Sequence, residues 1–358
     1  MADGKKKKRF NIRQVFRWVV FVLGFMLCAC IAALGLMVYY NSPPGMAIHE
    51  ADGIWPETED TVLIEVRKGE SAQSVGMRLK QAGLIRNRFF WIALFRVQPE
   101  FVKSGTYRLT LPLSQIAIRG ILVSGRQLLI RVTIPEGVTL KKTAKIFEEA
   151  GICEADAFLD AASSKELLGW YNVPGETMEG YLFPDTYLFP AAFPADMVVK
   201  KMADTFFEKI TLIDPGALRM SSSELNKRVI IASIVEREYR IEKEAPLMAG
   251  VFYNRLNIGM ALQSCATVEY IITEIQGKPH PELLYNRDTE IQNPYNTYIR
   301  PGLPPGPICA PGFTALDAAF HPDKNDYLYF RLSGEGAHYF SKTFDDHIKA
   351  GLLYVKRR

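Results

Sequence analysis

The chain has 358 residues, 48% hydrophobic and 23% charged, an ordinary globular composition with room for two folded units and an anchor. Its net charge of +4 is unevenly placed: residues 1–17 carry seven Lys or Arg against Asp3 alone, so they hold +6 and the remainder holds −2. No basic field is left for nucleic acid, and that class of partner is excluded.

The basic tail, 1–17, leads into residues 18–40, which run for 23 positions without a charge. That length spans a bilayer and exceeds the apolar core of a cleaved signal peptide. Trp18, Tyr39 and Tyr40 sit at its two ends, where interfacial aromatics belong. Flanking Lys and Arg stay on the cytoplasmic side, so the expectation is a single-pass inner-membrane protein with its C-terminal bulk outside. The alternative is a lipoprotein signal around Leu27-Cys28-Ala29-Cys30, but the apolar run continues well past Cys30. Beyond the membrane, Cys153, Cys265 and Cys309 are too few for a disulfide scaffold. No Cys or His spacing suggests a metal, and no cofactor is expected.

Residues 41–60, with Pro43, Pro44 and Gly45, read as a linker. Val62, Ile64 and Val66 then alternate as a strand, Lys68-Gly69-Glu70 turns, and Ser71 opens a helix that Gly83 stops after Ala82. The same design returns 68 residues later, with Ile134, Gly137, Thr139, Phe147 and Ala150-Gly151 matching Val66, Gly69, Ser71, Leu79 and Ala82-Gly83. Strands are expected at 106–111 and 128–134 between the copies. The region from Glu136 onward is mixed. Helices are expected at 139–150, 194–210, 222–239, 244–257 and 313–320, and strands at 181–188 and 326–332. A Pro- and Gly-rich loop over 286–312 holds Tyr295, Asn296, Tyr298 and Arg300, and long ordered loops of this kind carry function.

The helix at 222–239 opens on a capping box, Ser221-x-x-Glu224. Leu225, Val229, Ala232 and Glu236 form one stripe along it, so an apolar face ends in a carboxylate. Burial would raise that carboxyl's pKa, as a general acid near neutrality requires. The competing reading is an exposed Glu236–Arg240 pair on the last turn. Glycoside hydrolysis commonly takes two carboxylates, and Asp185 is either the second or a turn residue after Pro184. Tyr181, Phe183 and Tyr187 are either a sugar-stacking platform or core aromatics. Glu238 reads as a supporting or surface charge, and His321 as a helix cap.

Ala232-Ser233-Ile234-Val235-Glu236-Arg237-Glu238 resembles the signature of the endolytic murein transglycosylases, the MltG/YceG-like family. The resemblance extends through Glu179–Tyr187, Phe252-Tyr253-Asn254-Arg255-Leu256, Gly259–Ser264, Pro294–Tyr298, Gly302–Ile308 and Tyr327–Phe330. It implies an α+β protein: a single N-terminal transmembrane helix, a small LysM-like subdomain at 61–134 and a larger YceG-like catalytic domain at 135–358. It also implies cleavage of the MurNAc–GlcNAc bond in nascent glycan strands without water, giving 1,6-anhydro-MurNAc ends. One glutamate protonates the leaving oxygen and then takes the C6 hydroxyl proton as that oxygen attacks C1, so one carboxyl suffices, and by the match it is Glu236. Candidates to hold the glycan are Gln263, Asn254, Tyr295, Asn296 and Tyr298, because neutral sugars need amide, hydroxyl and aromatic partners. Peptidoglycan synthases (penicillin-binding proteins) are the implied protein partners. The family often has Asp after the Gln-Ser pair, where this chain has Cys265. Cys265 and Cys309 both fall in motif-bearing loops and are a candidate disulfide pair. The rival readings are a non-catalytic wall-binding scaffold and a water-using muramidase with Asp185 as partner.

Overall fold

The computed structural model describes residues 12–45, 49–58, 60–333 and 336–355, so most of the basic tail lies outside the described residues. The chain divides into two units, Met1–Leu128 and Leu129–Arg358.

The first unit begins with α1 (Ile12–Asn41), whose stretch Phe16–Asn41 is long and apolar enough to cross a membrane. An antiparallel sheet follows in the order β1 (Ile54–Thr58), β2 (Thr61–Val66), β3 (Gly105–Thr110). The helices α2 (Ala72–Gln81), α3 (Arg88–Val97) and α4 (Gln115–Ser124) complete it. The segment expected to be a linker, 41–60, is therefore partly structured: β1 lies within it and pairs with β2. The start of that segment is also tied down. Gln115 Nε2 donates to Tyr40 O at 2.7 Å, Ile116 N to Asn41 Oδ1 at 3.0 Å, and Arg86 to the Ser42 and Pro43 carbonyls. The core is built from the inward residues of β2, Val62, Ile64 and Val66, packed with Leu79, Trp91, Tyr107 and Leu109. A Cβ on Gly76 would lie 2.3 Å from the Trp91 ring, so only glycine lets α3 seat its indole on α2.

The second unit starts one strand earlier than its expected boundary at residue 135, because β4 (Leu129–Thr133) pairs antiparallel with β5 (Thr186–Pro190). Helices α5 (Leu140–Glu149), α6 (Ala155–Ala162), α7 (Lys165–Trp170) and α8 (Ala195–Ile213) come next. They are followed by α9 (Ser222–Glu238), α10 (Ala245–Asn257), α11 (Cys265–Tyr270) and α12 (Phe313–Phe320). A hairpin of β6 (Tyr329–Leu332) and β7 (His338–Ser341) precedes α13 (Phe344–Val355). The strand expected at 181–188 exists only from Thr186, since Tyr181–Pro184 is buried coil. Residues Val229 to Val235 of α9 are buried on every side, against α10 and α12, so α9 is the central rod of this unit.

The internal repeat is present in the backbone, one copy in each unit. Gly69 and Gly137 both take positive φ, 77° and 73°, ahead of helices capped by Ser71 and Thr139. Both helices close the same way, with Leu84 N on Leu79 O and Ile152 N on Phe147 O, each at 2.9 Å.

In the first copy Arg78 is buried and fully engaged: it forks onto Glu70 and donates to the Asp52 and Glu65 carbonyls. Arg78→Met leaves Glu70 and two carbonyls without their donor, and we expect it to cost about 3–5 kcal/mol. A urea midpoint unchanged from the parent chain would contradict that value.

Candidate functional site

The site is assembled where α9 ends. Segment 308–312 is clasped between α9 and the turn before α5. Ile308 N donates to Ser233 Oγ at 3.1 Å and Cys309 Sγ to Ser233 O at 3.2 Å. Gly137 N reaches Ala310 O, and Ala310 N reaches Val138 O, each at 2.8 Å. The last bond of the clasp runs from Gly312 N, at the N-cap of α12, to Glu236 Oε2 at 2.9 Å. Glu236 thus meets a backbone amide, and no Glu236–Arg240 ion pair forms among the described residues. Burial pushes its carboxyl up to about 7, the Gly312 bond pulls the other way, and the nearby Glu136 charge pushes it up further.

Glu136 is a residue that sequence reasoning passed over. A Cβ on Gly312 would lie 1.9 Å from Glu136 Oε1, and one on Gly137 would lie 3.6 Å from Glu236 Cγ. Gly137 is set by its left-handed φ of 73° and lies in ordinary contact with Glu236, while Glu136 lies over Gly312. The signal was available as Glu136-Gly137 at the repeat's turn, but nothing in periodicity links that turn to α9. A second unflagged carboxyl is Glu179, buried, with both oxygens 3.0–3.1 Å from Leu140 N at the start of α5. Burial pushes it up to about 8. Its neighbour Gly180 has φ 82°, and a Cβ there would lie 2.4 Å from Pro307, so the Glu179-Gly180 motif presses the strap onto α9.

A cavity of about 540 Å³ opens beside the last turn of α9. Gln263 and Tyr298 line it together with Arg237 and Glu238, while Glu236 does not. Gln263 is exposed with φ 51°, a left-handed conformation costly for a residue with a Cβ. Its backbone is held there by Gln263 N on Thr297 O at 3.0 Å and Ser264 N on Thr297 Oγ1 at 3.1 Å. Thr267 Oγ1 lies 2.9 Å from Thr297 Oγ1, so the Gln-Ser and Tyr-Asn-Thr-Tyr motifs form one lock. Glu238 accepts from Ser264 Oγ, and burial raises its pKa; it is a supporting group in the cavity wall rather than a surface charge.

The other expected sugar ligands lie elsewhere. Asn254 directs its amide to the Asn325 and Tyr327 carbonyls, fastening the approach to β6 onto α10. Asn296 is fully buried, bonded to the Thr289 and Ile291 carbonyls and to Tyr298 N. Tyr295 packs on Tyr270, with ring centroids 5.1 Å apart. Asp185 is exposed, accepts from Thr186 N, and sits at the entry to β5. Tyr181, Phe183 and Tyr187 are buried core aromatics, not a platform. His321 caps α12 and bonds Asp317 at 2.8 Å. The pairing considered for Cys265 and Cys309 is not formed. Both thiols are free: Cys309 is buried against Ser233 O, and Cys265 lies exposed 3.0 Å from Tyr298 Oη. Among the described residues no group of His, Cys, Asp or Glu is arranged to hold a metal.

The chain is similar to known proteins over most of its length. An endolytic murein transglycosylase of Bacillus subtilis is 30% identical over 326 residues, covering 84% of this chain and 87% of the relative. One of Streptococcus pneumoniae is 28% identical, covering 91% of this chain and 64% of that longer relative. The crystal structure of a yceG-like protein from Listeria monocytogenes superposes with a TM-score of 0.54 at 28% identity, covering 82% of this chain and 99% of that one. The YceG-like family model matches residues 64–351, and the chain belongs to the YceG-like family.

Proposed function

We propose that this chain is an endolytic murein transglycosylase that cuts the MurNAc–GlcNAc bond of peptidoglycan strands non-hydrolytically, with Glu236 as acid and then base. The observation that carries the reading is the enclosure of Glu236: a carboxyl at the end of a buried helix, held by one backbone amide and raised to about 7. A group near neutrality loses and regains a proton at similar cost, which a single residue serving both half-reactions needs. In the first step Glu236 donates its proton to the glycosidic oxygen as the C1–O bond breaks. In the second the resulting carboxylate takes the proton of the C6 hydroxyl while O6 bonds to C1. The sugar supplies the nucleophile, so no second carboxylate is required, and the exposed position of Asp185 before β5 accords with that economy. Gln263 and Tyr298 are the glycan contacts of this reading; Asn254, Asn296 and Tyr295 support the loops that carry them. We read α1 as the anchor, the α9-bearing unit as exported, and residues 61–134 as the LysM-like part. Peptidoglycan synthases are the protein partners this placement implies.

Glu236→Gln keeps the size and an acceptor for Gly312 N–H but exchanges no proton. We expect it to lower kcat by at least about 100-fold with glycan binding retained. Mass spectrometry of wild-type digests should show ends lighter by one water that resist borohydride. Reducible MurNAc ends would establish a muramidase, and no cleavage by the folded parent chain would establish a scaffold.

The pH profile is a separate expectation. The acid form is needed first, so kcat/KM should fall as pH rises through about 7. Glu136→Gln removes a charge that raises Glu236, and should move that limb to lower pH. A limb that stays in place in this variant would remove Glu136 from the site.

A further inference from the structure

The cavity beside α9 has a chemistry that neutral sugar hydroxyls do not require. Four of its lining side chains are arginines: Arg237, Arg240, Arg255 and Arg331. Only Arg237 has a carboxylate partner among the described residues, Glu269 at 3.0 Å. Arg255 directs its donors to the Leu328 and Leu262 carbonyls at 2.6 Å, and Arg331 donates to His347 O at 3.3 Å. Arg240 is exposed and makes no hydrogen bond or ion pair among the described residues. Three guanidinium charges therefore border one space without a matching carboxylate. Their field reaches His347, whose pKa is lowered by burial and then by Arg331 and Arg255. Glu238 accepts from Ser264 Oγ and forms no ion pair with these arginines among the described residues. Like charges held together repel, and an anion that forks onto guanidinium relieves the repulsion and supplies charge-assisted hydrogen bonds. Tyr298 and Tyr329 add aromatic faces to the same walls.

We propose that this cavity binds the carboxylate of the peptide stem carried by the MurNAc residue being cut, so that the enzyme favours peptide-bearing over bare glycan. The inference rests on the transglycosylase reading of the site. The stem is attached to the ring whose C1 bond Glu236 would break, and the cavity opens at Arg237 and Glu238, the two residues that follow Glu236 at the end of α9. A carboxylate fits better than a phosphate. A monoanion meets the unpaired arginines, while a second negative charge would be set against Glu238 and Glu269.

The test uses the full chain in detergent and a muramyl dipeptide with one free carboxylate, compared with the same compound amidated at that carboxylate. Calorimetry should show the acid binding about 10- to 100-fold more tightly than the amide, the range one charge-assisted hydrogen bond supplies. Arg331→Gln should erase most of that difference. Arg240→Gln, at an exposed position that no fold contact uses, should reduce it and guards against a misfolded Arg331 variant. Inorganic pyrophosphate at equal concentration should not displace the acid; displacement by it would overturn the carboxylate assignment. Equal affinity for acid and amide, in a preparation that makes anhydro ends from whole peptidoglycan, overturns the pocket and leaves the activity standing. Acid–amide discrimination in a chain that makes no anhydro ends supports the pocket and removes the reaction assigned to Glu236.

Discussion

The hydrogen bond from Gly312 N to Glu236 Oε2 is the contact on which the site depends, because it couples three parts of the chain far apart in sequence. It closes a clasp in which the strap 308–312 is pinned to α9 at Ser233 and to the turn at Gly137 and Val138. Each anchor removes a backbone polar group that burial would otherwise leave unpaired. A side chain at 137 would strain the left-handed backbone of the turn, and one at 312 would displace the Glu136 side chain that lies over it. The same partial burial that holds Glu236 in the clasp raises its pKa. Rigidity and acid strength therefore have one cause.

Two carboxyls in this unit sit against the start of a helix, and their environments differ in a way that separates their roles. Glu179 accepts from Leu140 N with both oxygens and is buried, so it is sealed within the fold and pins α5 to the strap-bearing loop. Glu236 uses one oxygen on Gly312 N and remains partly accessible, which leaves Oε1 without that amide. Burial alone would single out Glu179 as the more perturbed acid. Accessibility favours Glu236, since a general acid has to reach a substrate oxygen.

The helices were legible because their signals are local. Ser221 and Glu224 mark the start of α9, and Ser71 and Thr139 cap α2 and α5 as their spacing indicates. The carboxylate-tipped stripe of α9 also pointed to Glu236 before any contact was known. What the sequence could not show is contact between distant segments. Asn254 and Asn296 have the chemistry of sugar ligands, yet their amides are taken up by carbonyls at 325–327 and 289–291, and nothing in either motif signals that. Cys265 and Cys309 fail to pair for the same kind of reason: the strap turns one thiol into the core, while α11 leaves the other exposed beside Tyr298. Segment 41–60 misled through its prolines, which flank a strand as readily as they build a tether.

The duplicated strand–turn–helix unit shows how one backbone serves two ends. Both copies turn at a positive-φ glycine, and both have an acid beside it, but on opposite sides. In the first copy Glu70 follows Gly69 and is neutralised by the buried fork of Arg78, so the turn is closed and structural. In the second Glu136 precedes Gly137 and pairs with no arginine among the described residues; its carboxylate lies over Gly312, and its charge raises Glu236. The two copies thus differ in what the turn acid faces: a buried arginine in the first, and the strap beside Glu236 in the second.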